Sequence, residues 1–252
     1  MTAALAPTRA DAATRVADRA IACLRSGAPF SLIRLGDGEG RLLAYPDGIS
    51  RKMLFRHLYF WFGRVDFTEM DVMAMQAILQ TAIDQSDAIG CNPNGANGPW
   101  WDVPWRYVQA AHLAHRVCGT NDLHRELWHA GELDRIAQNA ERIVVVTCRD
   151  VTSDLIVRWR KPVSRIKVPG EGMEHGIPTP HWDWFSGLEN VVAEMCAPGV
   201  LCLVGAGVLG KAYTVRAARA GAVALDVGSV FDGWGRIESR SYLAGKLGEY
   251  RL

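Results

Sequence analysis

Two glycine-spaced clusters carry the residue types that handle phosphate esters. The first, residues 31–41, reads S-L-I-R-L-G-D-G-E-G-R. An alternating run of strand character stops at Gly36 and delivers Asp37 and Glu39, one residue apart, between glycines. Gly36, Gly38 and Gly40 let a ligand approach the backbone closely, and the two carboxylates offer hard oxygen atoms to a divalent cation, which in turn can carry a phosphate. The competing reading is an ordinary D-G-E-G turn with solvated acids.

The second cluster lies near the C-terminus. An apolar strand over residues 199–204 runs into G-A-G-V-L-G-K, residues 205–211. A helix over 208–220 and a strand over 222–225 ending at Asp226 follow. Gly205, Gly207 and Gly210 therefore form a G-x-G-x-x-G between strand and helix, with an acid about 20 residues on, the spacing of a dinucleotide site. The chemistry is that of a helix N-terminus, whose free N–H groups and dipole attract an anion, with Lys211 adding charge. The bland alternative is that these glycines only permit close helix packing.

Proton transfer needs a further group. Residues 169–184 (P-G-E-G-M-E-H-G-I-P-T-P-H-W-D-W) are rich in Gly and Pro and read as an acceptor-facing loop. Within it Glu174, His175 and Asp183 are each able to act as a base. Trp100, Trp101 and Trp105 follow a turn-rich stretch and read as loop anchors before a sugar or base platform. His112 and His115 have the spacing of zinc ligands but lack a third ligand nearby, and read as ordinary histidines.

The elements that position these groups follow from periodicity. Helical spacing covers residues 8–25, 66–86 (Thr68 and Asp71 opening it), 108–118, 154–160 (Asp150 as N-cap) and 185–196. Strand patterns cover 30–35, 88–90, 142–148 and 164–168. Residues 49–63 mix cations with rings, as a membrane-surface helix does, but Met53, Leu54, His57, Leu58 and Trp61 also make one buried face, and core packing is the preferred reading. The expected fold is α/β: a Rossmann-like, mostly parallel sheet flanked by helices, in one domain over 1–252. It has a loose tail at 1–8 and a largely helical inserted segment at 49–140.

Composition excludes some function classes. Lys plus Arg (28) nearly balances Asp plus Glu (27), so nothing calls for a nucleic-acid partner. The six cysteines lack C-x-x-C spacing and read as free thiols of a reducing compartment. No apolar segment reaches spanning length, and the expectation is a soluble, cytoplasmic protein without a transmembrane segment.

The G-D-G-E at residues 36–39, the glycine turn at 205–211, A-L-D-V-G-S at 224–229 and F-D-G-W at 231–234 together resemble the GT-D-type glycosyltransferases. That bacterial family was first catalogued as a domain of unknown function, and the resemblance spans about residues 28–235. It implies a Rossmann-like fold, a nucleotide-sugar donor and a D-x-E motif that binds the donor with a divalent metal. Carried onto this chain, Asp37 and Glu39 are the metal ligands for Mn2+ or Mg2+. Arg34, Gly36, Gly38, Gly205, Gly207, Gly210, Lys211 and Asp226 complete the nucleotide-sugar site. The function implied is hexosyl transfer, from a UDP-sugar in the first instance, to a glycan or glycoprotein acceptor in surface polysaccharide or glycan assembly, with a homo-oligomer allowed. An NAD(P)-dependent oxidoreductase or epimerase using the C-terminal turn, with Asp226 on the ribose, is the alternative. A non-catalytic nucleotide-binding domain is the third reading.

Overall fold

Strand formation follows the β-branched and aliphatic runs. The structure, a computed structural model, describes residues 9–62, 66–92, 100–170 and 181–252. From the N-terminus, α1 (Arg9–Ser26) leads through a glycine to β1 (Phe30–Leu35), then α2 (Asp37–Ala44), α3 (Arg51–Phe62), α4 (Glu69–Gln85) and β2 (Ala88–Cys91). Next come α5 (Val103–Ala110), β3 (Val117–Gly119), α6 (Leu123–His129), α7 (Glu132–Gln138), β4 (Arg142–Thr147), α8 (Thr152–Trp159) and β5 (Val163–Lys167). The chain ends with α9 (His181–Met195), β6 (Val200–Gly205), α10 (Gly210–Arg219), β7 (Val223–Asp226) and α11 (Val230–Trp234).

The seven strands form one sheet in the order β3-β2-β1-β7-β6-β4-β5, and every pairing is parallel. Parallel strands need helical crossovers, so both faces are covered and the central strands are apolar throughout. In β1 the period of two is visible: Ile33 and Leu35 pack with α2, α3, α4, α5, α9 and α10, whereas Phe30 and Leu32 pack with α1, α6, α7, α8 and α11. One crossover helix would suffice between β1 and β2, and the chain has three there, α2, α3 and α4. The rest of residues 49–140 supplies β2 and β3 with their crossovers. The chain runs outward from β1 to β3 and resumes at β4 on the far half. β1 and β7 thus meet at the centre, and the loops after β1, β6 and β7 open at one end of the sheet.

Several local expectations need correction. The helix expected over 108–118 ends at Ala110; the chain turns at His112 (φ 58°) and Val117–Gly119 joins the sheet as β3. Asp150 is not the N-cap of α8; that position is Val151, and exposed Asp150 pairs instead with Arg165 at 3.1 Å. Residues 181–184 are the first turn of α9 rather than loop. On α3, Leu54, Leu58 and Phe62 form the buried face, while Met53 is 47 % exposed. Thr68 does open α4, through a reciprocal pair with Asp71 at 2.8 and 3.2 Å. No helix among the described residues is long and apolar enough to cross a membrane.

Candidate functional site

The two glycine turns meet. β1 ends at Leu35 and α2 starts two residues later, so Asp37 and Glu39 lie in the first turn of a helix rather than in an open loop. Glu39 Oε2 accepts the Gly36 N–H at 2.8 Å, which closes that turn. A Cβ on Gly38 would lie 3.2 Å from the Trp61 ring of α3 and 3.8 Å from Val208, so the turn after β6 abuts the turn after β1. Between and above them lies a cleft of about 790 Å³, lined also by Arg56 and His57 of α3, Trp101, Asn121, Asp232 and Tyr242. Its position, beyond the carboxyl ends of the central strands, is where open α/β sheets bind ligands.

The turn after β6 is built for an anion. A Cβ on Gly205 would meet the Phe231 ring and sit 2.8 Å from the Gly228 carbonyl, so only glycine allows this packing. Gly207 has φ +58° and faces open space, which turns the chain into α10. Among the described residues no acceptor takes the N–H groups of Gly207, Val208 and Leu209; the turn's backbone hydrogen bonds begin at Gly210, which donates to Ala206 at 3.1 Å. Three unsatisfied backbone donors at a helix entrance form an anion cradle.

Beneath this surface lies a buried charge network. Arg34 donates from Nε to the Asp226 carbonyl at 2.9 Å, from Nη2 to Asp226 Oδ1 at 3.1 Å and from Nη1 to the Asn121 carbonyl at 2.9 Å. Lys211 Nζ lies 2.6 Å from Glu39 Oε1, 3.2 Å from Asp226 Oδ2 and 3.1 Å from the Gly207 carbonyl. An ammonium has three protons, and all three are used. Burial alone would lower the Lys211 pKa, but Asp226 and Glu39 beside it raise it above its ordinary value. For Asp226, burial opposes ionisation, yet Arg34 and Lys211 hold its carboxyl below its usual value. His124, also buried, is kept neutral far below its usual pKa by desolvation and by Arg34.

The expected site residues that the structure describes fall in different places. Gly36, Asp37, Gly38, Gly205 and Gly207 line the cleft; Arg34, Glu39, Lys211 and Asp226 reach it only at its floor, bonded to one another. Gly210 packs against Val204 and Ala206, inside the helix–sheet contact. Asp183 is exposed on the first turn of α9 and is not part of the cleft wall. Glu174 and His175 lie outside the described residues. Of the three tryptophans only Trp101 faces the cleft, while Trp100 and Trp105 pack on the core.

Other wall residues escaped the sequence reading. Arg56 is the one arginine or lysine on the wall without a hydrogen bond or ion pair among the described residues; its signal was the basic-aromatic run of α3. Asn121 is buried with Oδ1 unpartnered, and follows β3, itself unread. Arg149 donates to Asp232 at 2.6 Å across the wall. His181, the first residue of α9, bonds the Tyr213 hydroxyl through Nε2 at 2.9 Å, and burial lowers its pKa to about 4.

The donor set for a divalent ion is unequal. One oxygen of Asp37 pairs with Arg41 and the other has no partner among the described residues, with the side chain 42 % exposed. Both oxygens of Glu39 are engaged. No group of three or more His, Cys, Asp or Glu side chains among the described residues has the arrangement of a metal site. The residues present fit an ion held by Asp37, with substrate phosphates and water completing the shell, as magnesium commonly is.

Comparison with known proteins gives one family. The model of a GT-D-like family, described as a GT-D fold-like domain, matches residues 12–234. No curated protein matches the sequence. Among solved structures, the chain is similar to a selenomethionine-substituted domain of unknown function 1792, at 15 % identity over 88 % of this chain and 82 % of that one, with a TM-score of 0.49. It is also similar to a glycosyltransferase of that domain type from Streptococcus sanguinis, at 17 % identity over 84 % and 79 %, with a TM-score of 0.48. A third, described as the same domain with a distinct glycosyltransferase fold, is 16 % identical over 88 % and 82 %, with a TM-score of 0.46.

Proposed function

The chain belongs to the GT-D-like family, and from that premise we propose that it is a glycosyltransferase acting on a nucleotide-sugar donor. The observation that carries this reading is the convergence of the D-G-E-G turn and the G-A-G-V-L-G turn on one cleft, with three free backbone N–H groups in the second. A donor's diphosphate sits on the N–H groups of Gly207, Val208 and Leu209, in the cleft that the unpaired Arg56 also lines. These donors stabilise the negative charge that grows on the departing nucleoside diphosphate. A divalent ion, Mn2+ or Mg2+, at Asp37 supplies further charge neutralisation when bound. Glu39 contributes by closing the α2 turn and Lys211 by holding Glu39 in place.

The donor we propose is a UDP-sugar, the acceptor a glycan or glycoprotein hydroxyl, and the setting cytoplasmic assembly of a surface polysaccharide or glycan. For the acceptor's proton, Glu174 and His175 on the segment that runs into α9 are the proposed bases, with Asp183 third because it lies off the cleft wall. The oxidoreductase reading requires a carboxylate free to take ribose hydroxyls. Asp226 is 2 % exposed with both oxygens bonded to Arg34 and Lys211, which argues against it.

A thermal-shift panel with UDP, UDP-sugars, GDP, NAD and NADP, each with and without Mn2+, tests the reading. A shift with a nucleoside diphosphate or its sugar that grows with Mn2+ is expected. A metal-independent shift with NAD or NADP alone would transfer the cleft to dinucleotide chemistry, and binding of a UDP-sugar without its turnover in the presence of glycan acceptors would favour the non-catalytic domain.

A further inference from the structure

Glu39 and Asp226 are both buried, and both point a carboxylate oxygen at the same point in the cleft floor. A divalent ion bridging two such oxygens would sit between them at roughly 2.0–2.6 Å from each. That point is already filled: Lys211 Nζ lies 2.6 Å from Glu39 Oε1 and 3.2 Å from Asp226 Oδ2. We infer that Lys211 is a built-in counter-cation that withdraws Glu39 and Asp226 from metal binding and leaves Asp37 as the protein's own ligand for a divalent ion in this cleft.

The geometry makes the arrangement hard to displace. The third Lys211 proton is on the Gly207 carbonyl at 3.1 Å, so the ammonium is fully coordinated by the chain and has no donor left to follow a ligand. Lys211 sits on α10, a helix whose residues 210–218 are nearly all buried, and it meets the cleft only at the floor, where its ammonium is already bonded. Moving it would strand two buried carboxylates with Arg34 alone against them. Asp37 stands apart from this group: its partner is Arg41, on its own helix and at partial exposure, an ion pair of the weak surface kind that a metal can replace.

The inference deepens the cation site proposed above, but its probe is Mn2+ alone, without nucleotide or sugar, so its failure would leave the transfer reading standing and the reverse. Mn2+ binding to the full chain is measured by electron paramagnetic resonance of free Mn2+ and by thermal shift. In the wild type, Glu39→Gln is expected to change Mn2+ affinity by less than about twofold, because Glu39 is not a ligand. Lys211→Met, which empties the bridging position, is expected to bind Mn2+ at least about tenfold more tightly than the wild type, and the pair Lys211→Met with Glu39→Gln to lose that gain. A tenfold loss on Glu39→Gln alone would overturn the inference, as would a folded Lys211→Met with unchanged affinity. If Lys211→Met folds only when Mn2+ is present, that rescue is itself the expected gain. If it does not fold at all, the Glu39→Gln comparison decides.

Discussion

At the scale of single residues, neighbouring carboxylates that look equivalent in the sequence have opposite fates. Asp37 and Glu39 are two apart in a helix, so about 200° separates their side chains around its axis. One therefore reaches the cleft wall and the other the buried floor, a division that the D-x-E spacing cannot reveal without knowing that α2 begins at Asp37. Lys211 and Arg34 read in the sequence as cations for a phosphate, but not as ones already paired, since Glu39 and Asp226, respectively, lie far from them along the chain. Arg56 is the unspent cation. Arg56→Ala is expected to weaken nucleoside diphosphate binding about three- to tenfold, with an effect that shrinks as salt rises and no change in melting temperature beyond about 1 °C, since its side chain supports no other group. His181 should contribute to the loss of stability in acid. The folded chain keeps it neutral down to about pH 4, while the unfolded chain takes up a proton near 6.5. Between those values the unfolded state binds more protons, so stability falls as pH drops from about 6.5 towards 4, by up to roughly 3 kcal/mol from this residue. His181→Gln, which can still bond the Tyr213 hydroxyl, should flatten that slope in melting curves recorded from pH 7 to 4, leaving the part owed to His124.

Elements were legible in proportion to how much apolar pattern they carry. β4 and β6 are six-residue runs buried on both faces, and their bounds were read within a residue or two. β3 has three half-buried residues, too few for a period, and was absorbed into the helix before it. α3 carries two signals at once: its Leu54, Leu58 and Phe62 stripe is core, and its Arg56 and His57 flank faces the cleft, so either reading alone misses half of it. The glycine turn before α10 was read as one motif, yet its three glycines do three different things, and only Gly207 is there for a turn. Gly205→Ala should accordingly cost about 1–3 kcal/mol in urea denaturation, through the clash with Phe231 and the Gly228 carbonyl rather than through any ligand. Gly207→Ala should be felt as backbone strain of about 1 kcal/mol and as weaker diphosphate binding. A Gly205→Ala protein as stable as the wild type would mean that α11 is free to shift, and that the cleft's far wall is not rigid.

Over the whole molecule, the doubly covered parallel sheet was foreseeable from alternating helical and strand patterns, whereas the strand order was not, because nothing local says that β7 returns to lie beside β1. That return joins Arg34 to Asp226 across 192 residues and Glu39 to Lys211 across the same divide. A chain emerging from the ribosome makes Arg34 first and must add a further 192 residues before its partner Asp226 exists. Until then the central strand lacks one neighbour and two charges lack compensation, an arrangement too costly to bury. The N-terminal half therefore has no stable resting place of its own, and a fragment ending at residue 199 should unfold without a cooperative transition. Cellular quality control would see such a truncated product as unfolded, so a frameshift anywhere before β6 would remove the protein rather than shorten it.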